Sequence, residues 1–225
     1  MTDTAAALAA VATARATSEA AAWLAEHLLS ITPEKFPVAH AGCGRRFGHE
    51  PVALSTTERE ALGFTAPGAE GWPLSAVGRA ALQLKLCEQL PPDEHLPRLR
   101  RLYQTGDNRE RESLLHNLCQ LPEPARFTEI GIEACRSHVQ SVFEAIACEN
   151  PYAYQFFPDP AFHQVVIKAF FTEVAVVRIV GLPERRSERL SDMARAYASE
   201  RRAAGRSVPK DLCYVTGQDA TGDEK

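Results

Sequence analysis

The sequence predicts an all-α protein built from stacked antiparallel helical hairpins. From Pro73 onward, apolar residues recur at three- and four-residue steps, and no segment shows the alternation that is typical of a strand. Short turns rich in Pro and Gly separate these segments, so successive helices should be antiparallel neighbours in a HEAT-like or irregular array. The 225 residues are expected to form a single domain, with residues 1–15 and 217–225 loosely attached.

The first third of the chain predicts one helix and one long loop. An alanine-rich helix should end at Thr32-Pro33, because the residue before a proline is pushed out of the helical region. Residues 33–73 are so rich in Gly and Pro that we expect a long loop. Within it only Ser55 to Leu62 resembles a helix, with Ser55 or Thr56 as its N-cap ahead of Glu58.

The remaining two thirds predict helices throughout. Their expected ranges are 74–89, 95–104, 109–121, 127–149, 161–180 and 187–204. We expect these helices to pair in order along the chain, with Gly181 as a left-handed C-cap after the fifth. Range 161–180 is nearly long enough for a membrane span, but its charged residues, Lys168 among them, predict a buried helix instead.

Composition excludes some classes of partner and indicates a compartment. A formal net charge of −4 argues against nucleic acid as a partner, because such proteins concentrate basic charge on one face. The six cysteines are far apart, form no CxxC pair, and follow no secretion signal. We therefore expect a reduced, cytoplasmic protein.

A polar cluster is predicted where the two most apolar helices meet. Glu133, Arg136, Gln140 and Glu144 form a stripe along 127–149, and Gln164, Lys168 and Thr172 form another along 161–180. A lysine in such apolar surroundings should pair with a carboxylate, with Glu144 as the first candidate and Glu149 as the second. Asn150, before Pro151, is expected to bond its own backbone in the turn between the helices.

This cluster has two interpretations. It either locks two helices in register or lines a small-molecule pocket with aromatic walls. The aromatic wall would consist of Tyr152, Tyr154, Phe156, Phe157 and His163. The candidate ligand-binding residues are Arg136, Glu144, Glu149, Asn150, Tyr152, His163, Gln164 and Lys168.

The stretch "GCGRRFG" at residues 42–48 offers a second, weaker candidate. Its backbone amides, with Arg45 and Arg46, could bind an anion, although a glycine-rich surface turn is the simpler interpretation. His40, Cys43 and His49 supply only three zinc ligands at an unusual spacing. We therefore predict no metal site and no cofactor.

Several segments resemble the EboA family of bacterial proteins. They are "FEAIACENPY", "AFHQVVIKAFF", "RIVGL" and "DMARAYASERRAAGRSVPKDL", preceded by "GRRFGHEPVALS" and "GWPLSAVGRAALQLKL", and together they extend from about residue 20 to residue 215. The sequence departs from the family at Ala153 and in the "FHQV" that opens the second apolar helix. Glu144, Asn150, Gln164 and Lys168 match it.

The resemblance implies a context but no reaction. It implies a gene cluster with a UbiA-like membrane prenyltransferase, TIM-barrel hydrolases and a dehydroquinate-synthase-like enzyme that makes or moves a secondary metabolite. The favoured hypothesis is a binding or scaffold protein for a hydrophobic, aromatic or prenylated intermediate, held near the inner membrane only through a partner. The alternatives are an enzyme using Glu144 or Glu149 with Lys168, and an adaptor without a ligand.

Overall fold

A computed structural model describes residues 3–62 and 71–217, and over these ranges the chain is helical, as predicted. An isolated antiparallel bridge joins Pro51 to Pro73, and the described residues form no strand. The helices are α1 Asp3–Arg15, α2 Ser18–Ser30, α3 Phe36–Phe47, α4 Thr56–Leu62, α5 Leu74–Gln89, α6 Pro92–Thr105, α7 Asn108–Asn117, α8 Thr128–Cys135, α9 Gln140–Ala147, α10 Tyr152–Phe156, α11 Asp159–Phe171, α12 Glu188–Ala203 and α13 Cys213–Thr216. The backbone forms two compact units, Met1–Ile146 and Ala147–Lys225, which are described in turn.

Helix α5 is the centre of the first unit. It is buried on nearly all sides and packs against α1, α3 and α7. A helix enclosed in this way needs apolar residues around its whole circumference. Ser75, Arg79 and Gln83 interrupt that pattern at four-residue steps, and all three side chains are buried.

The first 30 residues form two helices rather than one. Thr17 caps α2 by accepting a hydrogen bond from the backbone N–H of Ala20. The N-terminal segment that was expected to be loose forms α1, and its Leu8 and Ala12 are fully buried. Alanine favours the helix, and packing against α5 stabilises it.

The predicted loop at 33–73 contains a second helix, α3, which the composition did not indicate. Its glycines are required by close packing: a Cβ on Gly42 would lie 3.0 Å from Cζ2 of Trp23. Helix α4 is confirmed, and Ser55 caps it in a capping box in which its hydroxyl accepts from the Glu58 N–H at 3.2 Å. The other end of this predicted loop, residues 63–70, lies outside the described residues.

The helix expected at 127–149 is broken into α8 and α9. Arg136 ends α8, and the Ser137 hydroxyl accepts a hydrogen bond from the Val139 N–H at 3.1 Å. A serine that binds the backbone two residues ahead competes with the helix for that donor. The prediction of one continuous helix was therefore wrong.

In the second unit, α11 ends nine residues before the predicted position. Glu173 adopts a left-handed conformation with φ of 58°, and the Val174 N–H bonds back to the Ala169 carbonyl. Gly181 has a positive φ of 74°, as predicted, but it follows a short 3₁₀ turn at Val176–Arg178 rather than a long helix. Helices α11 and α12 are in contact, which confirms their predicted pairing.

The region expected to be a buried helix contributes to the core of the second unit. Phe162, Val165, Val166 and Phe170 of α11 are all buried. The Tyr197 hydroxyl of α12 donates to the Phe170 carbonyl at 2.9 Å. Among the described residues, no helix combines the length and apolar character required to cross a membrane.

Candidate functional site

Two of the predicted ligand-binding residues, Glu149 and Asn150, lie in the turn before α10, and a third, Tyr152, begins that helix. The Asn150 side chain accepts a hydrogen bond from the Tyr152 N–H at 2.9 Å, which confirms the predicted turn. Glu149 has a positive φ of 49°, and its carboxylate makes a bidentate contact with Arg178 at 2.7 and 2.9 Å. The Tyr152 ring is fully buried beside Phe157. These residues therefore build the turn and the core beneath it.

The other predicted residues of the second unit lie on α11. His163 is buried, its Nε2 lies 3.1 Å from the Ser187 hydroxyl, and its Nδ1 has no hydrogen-bond partner among the described residues. Burial lowers the pKa of His163, and Asp159 opposes that shift. Gln164 is exposed and Lys168 is half-buried.

In the first unit, the polar stripe expected along 127–149 does not form as one row. Arg136 is exposed at the end of α8, whereas Glu144 lies on the separate helix α9. The Gln140 amide donates to the Glu144 carboxylate at 2.8 Å. The break at Ser137 separates the stripe into a part on α8 and a part on α9, and the Gln140–Glu144 bond lies in the α9 part.

The ion pair expected between Glu144 and Lys168 involves residues of different units and stays a prediction. Both side chains are half-buried, so their coupling should be about 1 kcal/mol. A double-mutant cycle with Glu144→Gln and Lys168→Met, measured by urea unfolding, would give this value. Additive effects of the two substitutions would show that the residues do not pair.

The first unit contains a buried chain of polar side chains that the sequence analysis did not predict. Asn117 donates its amide to the Gln83 carbonyl oxygen at 2.8 Å, and the Gln83 amide lies 3.0 Å from Nε2 of His40. Nδ1 of His40 lies 3.1 Å from the Glu110 carboxylate. His40, Gln83 and Asn117 are fully buried. This polar chain of side chains therefore links helices α3, α5 and α7.

The donors and acceptors along the polar chain follow from the amide of Gln83 at its centre. The Gln83 oxygen already accepts from Asn117, so its nitrogen must donate to His40. His40 is consequently a neutral imidazole that carries its proton on Nδ1 and donates to Glu110. Burial lowers the pKa of His40, although Glu110 opposes that shift, and the His40 bond lowers the pKa of Glu110.

Glu110 links the polar chain to the backbone of the same unit. Its carboxylate accepts from the Asp107 N–H at 2.9 Å, and the Asp107 side chain accepts from the Glu110 N–H at 2.8 Å. This is the capping box of α7. One carboxylate therefore both caps a helix and fixes the tautomer of His40.

An apolar groove lies elsewhere in the first unit. It has a volume of about 390 Å³, and Phe36, Leu86, Leu102 and two prolines line it. Glu34, Arg98, Arg101 and Thr105 supply its polar groups. Arg98 makes an exposed ion pair with Glu94 at 3.3 Å, whereas Arg101 has no ion-pair partner among the described residues. Both arginines lie on α6, so one helix brings two positive charges to the apolar wall.

The second unit has a cavity of about 300 Å³. Phe170 and Val174 form apolar walls, and Glu173, Arg201 and Asp211 supply charge. Asp211 also accepts from the Val176 N–H at 3.0 Å, which holds the chain after α11. None of the predicted ligand-binding residues of this unit lines this cavity.

The glycine-rich stretch does not present a loop to an anion. Residues 42–47 lie inside α3, so their amides take part in helical hydrogen bonds. Arg46 stacks over Trp23, with its guanidinium carbon 4.3 Å from the ring centroid, and Arg45 is exposed. An anion site at Arg45 and Arg46 stays a prediction, but without the loop amides that motivated it.

The three residues considered as zinc ligands are found in three different environments. His40 belongs to the polar chain, and burial raises the pKa of Cys43 to about 12, which keeps it a thiol. His49 is exposed. In the part of the chain that the structure describes, no three His, Cys, Asp or Glu side chains are placed to hold a metal ion.

Over the described residues, fold and sites together define a helical protein with a buried polar chain and an apolar groove lined in part by two arginines. A family model described as "Metabolite traffic protein EboA" matches residues 4–217. The chain therefore belongs to the EboA family, which confirms the resemblance seen in the sequence. The description of the family supports a general role of the chain in metabolite traffic. No match was found among the curated proteins or among the solved structures.

Proposed function

We propose that this chain binds a hydrophobic, aromatic or prenylated intermediate and passes it to other proteins of its pathway. The groove in the first unit carries the proposal. Its volume of about 390 Å³ lies in the range of small-molecule sites, and its wall is apolar with few polar groups. Arg98 and Arg101 at its edge suit a ligand that joins an apolar body to an anionic group.

The partners that we propose are a UbiA-like membrane prenyltransferase or another enzyme of the same pathway. Two large apolar side chains support a docking surface beside the groove: Leu29 is 87% exposed and Val38 is 77% exposed. They flank the segment that contributes Pro33 and Pro37 to the groove. A partner bound there would lie close to the ligand that it receives, and would hold this chain near the inner membrane.

Arg101 supplies the test of the groove. We expect Arg101→Gln to weaken binding of farnesyl diphosphate about tenfold, because one charge-assisted contact is lost. Uncharged farnesol should bind wild type and variant equally. The measurement is a fluorescence or calorimetric titration of the full chain, and Arg100→Gln is the matched control because Arg100 does not line the groove. Equal affinities of wild type and Arg101→Gln for the diphosphate would remove the groove from the proposal.

The enzymatic alternative requires a different result. Incubation with an extract of cells that make the metabolite would show turnover, and Lys168→Ala or Glu144→Gln would abolish it. A carrier would instead retain an unchanged small molecule, which mass spectrometry of the purified protein identifies. An adaptor would retain none and would bind neither farnesyl probe.

A further inference from the structure

The cavity of the second unit is lined by charges of both signs that do not pair with one another. Glu173 and Asp211 supply carboxylates, and Arg201 supplies a guanidinium. None of these three side chains forms an ion pair among the described residues, so their oxygens lie more than 4.0 Å from the Arg201 nitrogens. The cavity therefore keeps one cation and two anions available to a ligand.

The wall of the same cavity is apolar. Phe170 and Val174 line it and are only 1% and 4% exposed, so both are fixed in the core of the unit. The volume of about 300 Å³ is at the lower end of the range for small-molecule sites. A ligand with a small apolar body and charged groups of both signs suits such a space.

Arg201 is held in place by neutral acceptors. Its Nε donates to the Ser207 carbonyl at 2.6 Å, and its Nη1 donates to the Tyr197 hydroxyl at 3.2 Å. That hydroxyl in turn donates to the Phe170 carbonyl at 2.9 Å, which links the guanidinium to the wall of the cavity. Nη2 has no hydrogen-bond partner among the described residues. The guanidinium is thus oriented in advance and keeps one nitrogen to donate to a carboxylate.

Asp211 is held in the same way from the opposite charge. Its Oδ2 accepts from the Val176 N–H at 3.0 Å, whereas its Oδ1 has no hydrogen-bond partner among the described residues. An ionised carboxylate can only accept, so the second oxygen suits an ammonium group.

Glu173 occupies a backbone position that favours glycine. Its φ is 58°, and it follows the C-cap of α11. Helices often place glycine at such a position, because a Cβ makes the left-handed conformation unfavourable. Backbone strain of this kind is concentrated at functional sites. The side chain of Glu173 adds to the cavity a charge that glycine would not supply.

We propose that this cavity binds a small zwitterion with an apolar side chain, such as an α-amino acid. Nη2 of Arg201 donates to the carboxylate of the ligand, and its ammonium group donates to Glu173 and Asp211. The apolar side chain of the ligand packs against Phe170 and Val174. The site lies in the second unit and does not depend on the groove of the first unit that carries the proposed function.

Three probes that share a benzene ring separate the two charged contacts. L-phenylalanine carries both charges, phenylpropionate lacks the ammonium group, and phenethylamine lacks the carboxylate. The full chain is titrated with each probe by calorimetry at neutral pH and low ionic strength. We expect wild type to bind L-phenylalanine about tenfold more tightly than either analogue, because each analogue lacks one charge-assisted contact.

Arg201→Gln tests the contact to the carboxylate. It should weaken binding of L-phenylalanine and of phenylpropionate about tenfold and leave the affinity for phenethylamine unchanged. Arg202→Gln is the matched control, because Arg202 is the next residue of α12, is exposed and does not line the cavity. It should leave all three affinities unchanged.

Glu173→Gly tests the contact to the ammonium group without a loss of stability. It should weaken binding of L-phenylalanine and phenethylamine severalfold and leave the affinity for phenylpropionate unchanged. Glycine accepts the φ of 58° at this position, so a thermal melt should show no decrease in Tm. Weaker binding by this variant therefore cannot arise from unfolding.

Two results would overturn the proposal. One is that wild type binds L-phenylalanine no more tightly than the two analogues, or does not bind it at millimolar concentration. The other is that Arg201→Gln weakens binding of phenethylamine as much as binding of L-phenylalanine, since the arginine would then not recognise the carboxylate.

Discussion

Replacement of Gly181 by alanine should lower the free energy of unfolding by about 3 kcal/mol. Gly181 has φ of 74°, a conformation that costs an alanine about 1–2 kcal/mol. In addition, the new Cβ would lie 1.9 Å from Cδ2 and 2.3 Å from Cγ of Tyr154. Because Cγ is at the base of the ring, rotation of the ring alone does not relieve the overlap.

The backbone around Tyr154 is held in place by a neighbouring arginine. Nη1 of Arg185 donates to the carbonyls of Ala153, Tyr154 and Phe157 at 3.1, 3.2 and 2.8 Å. Arg185 also forms an ion pair with Asp159 at the start of α11. A shift of Tyr154 away from the new methyl group would disturb these bonds, so the overlap should appear as lost stability.

Gly205 provides the matched control for the Gly181 substitution. Its φ is 67°, and a Cβ placed there has no neighbouring atom within 4 Å. Gly205→Ala should therefore cost only about 1–2 kcal/mol, the energy of the left-handed conformation. The two substitutions are compared by urea unfolding monitored by circular dichroism, and the excess for Gly181→Ala should disappear when Tyr154 is also replaced by alanine. Equal losses for the two glycines would refute the steric argument.

The parts of the fold that local rules govern could be predicted from sequence. Ser55 caps α4, and Asn150 bonds to the backbone of Tyr152, because both interactions need only residues two or three positions away. Helix α3 was missed for the opposite reason. Its glycines lower helix propensity, but their small size allows contact with Trp23 and α5, and tertiary packing outweighs propensity.

The ends of the long predicted helices could not be read from periodicity. Apolar spacing continues through Ser137 and through the valines after Phe171, so the pattern alone extends both helices. The breaks arise from a serine hydroxyl that binds the Val139 amide and from the left-handed Glu173. Neither feature changes the hydrophobic pattern, so an argument from periodicity cannot detect it.

The polar chain shows how much of the site a single helix could reveal. Ser75, Arg79 and Gln83 recur at four-residue steps on an otherwise apolar helix, and this signal was present in the sequence. Their partners, among them His40 and Asn117, lie on α3 and α7. Which residues of distant helices meet is decided by tertiary packing, so spacing could indicate the stripe but not its contacts.

Replacement of Gln83 by leucine should lower the free energy of unfolding by about 2–4 kcal/mol. The substitution preserves the approximate volume but removes the amide that links Asn117 to His40. It leaves the Asn117 amide and Nε2 of His40 buried without partners, and each unsatisfied group costs about 1–3 kcal/mol. The measurement is urea unfolding at pH 7, and a loss below about 1 kcal/mol would show that water or a local rearrangement satisfies both groups.

Gln83→Glu tests whether residue 83 donates a hydrogen bond to His40, and the measured quantity is the pH dependence of stability. In wild type, burial lowers the pKa of His40 in the folded state. The unfolded state therefore binds the proton more readily, and stability rises with pH until the pH exceeds the pKa of an unfolded histidine, about 6.5. The new carboxylate would accept a hydrogen bond from Asn117. The carboxylate and Nε2 of His40 are both acceptors, so they can form a hydrogen bond only if one added proton lies between them. The folded variant would therefore bind about one proton more than the unfolded chain above pH 6.5.

The two proteins should consequently differ in the sign of their pH dependence. A raised pKa in the folded state gives stability that is present at low pH and is lost as pH rises, by at most about 1.4 kcal/mol per unit. Gln83→Glu should thus lose stability relative to wild type between pH 6.5 and 8, whereas the difference between Gln83→Leu and wild type should stay nearly constant there. A parallel pH dependence in Gln83→Glu and Gln83→Leu would mean that residue 83 and His40 hold no additional proton between them in the folded state.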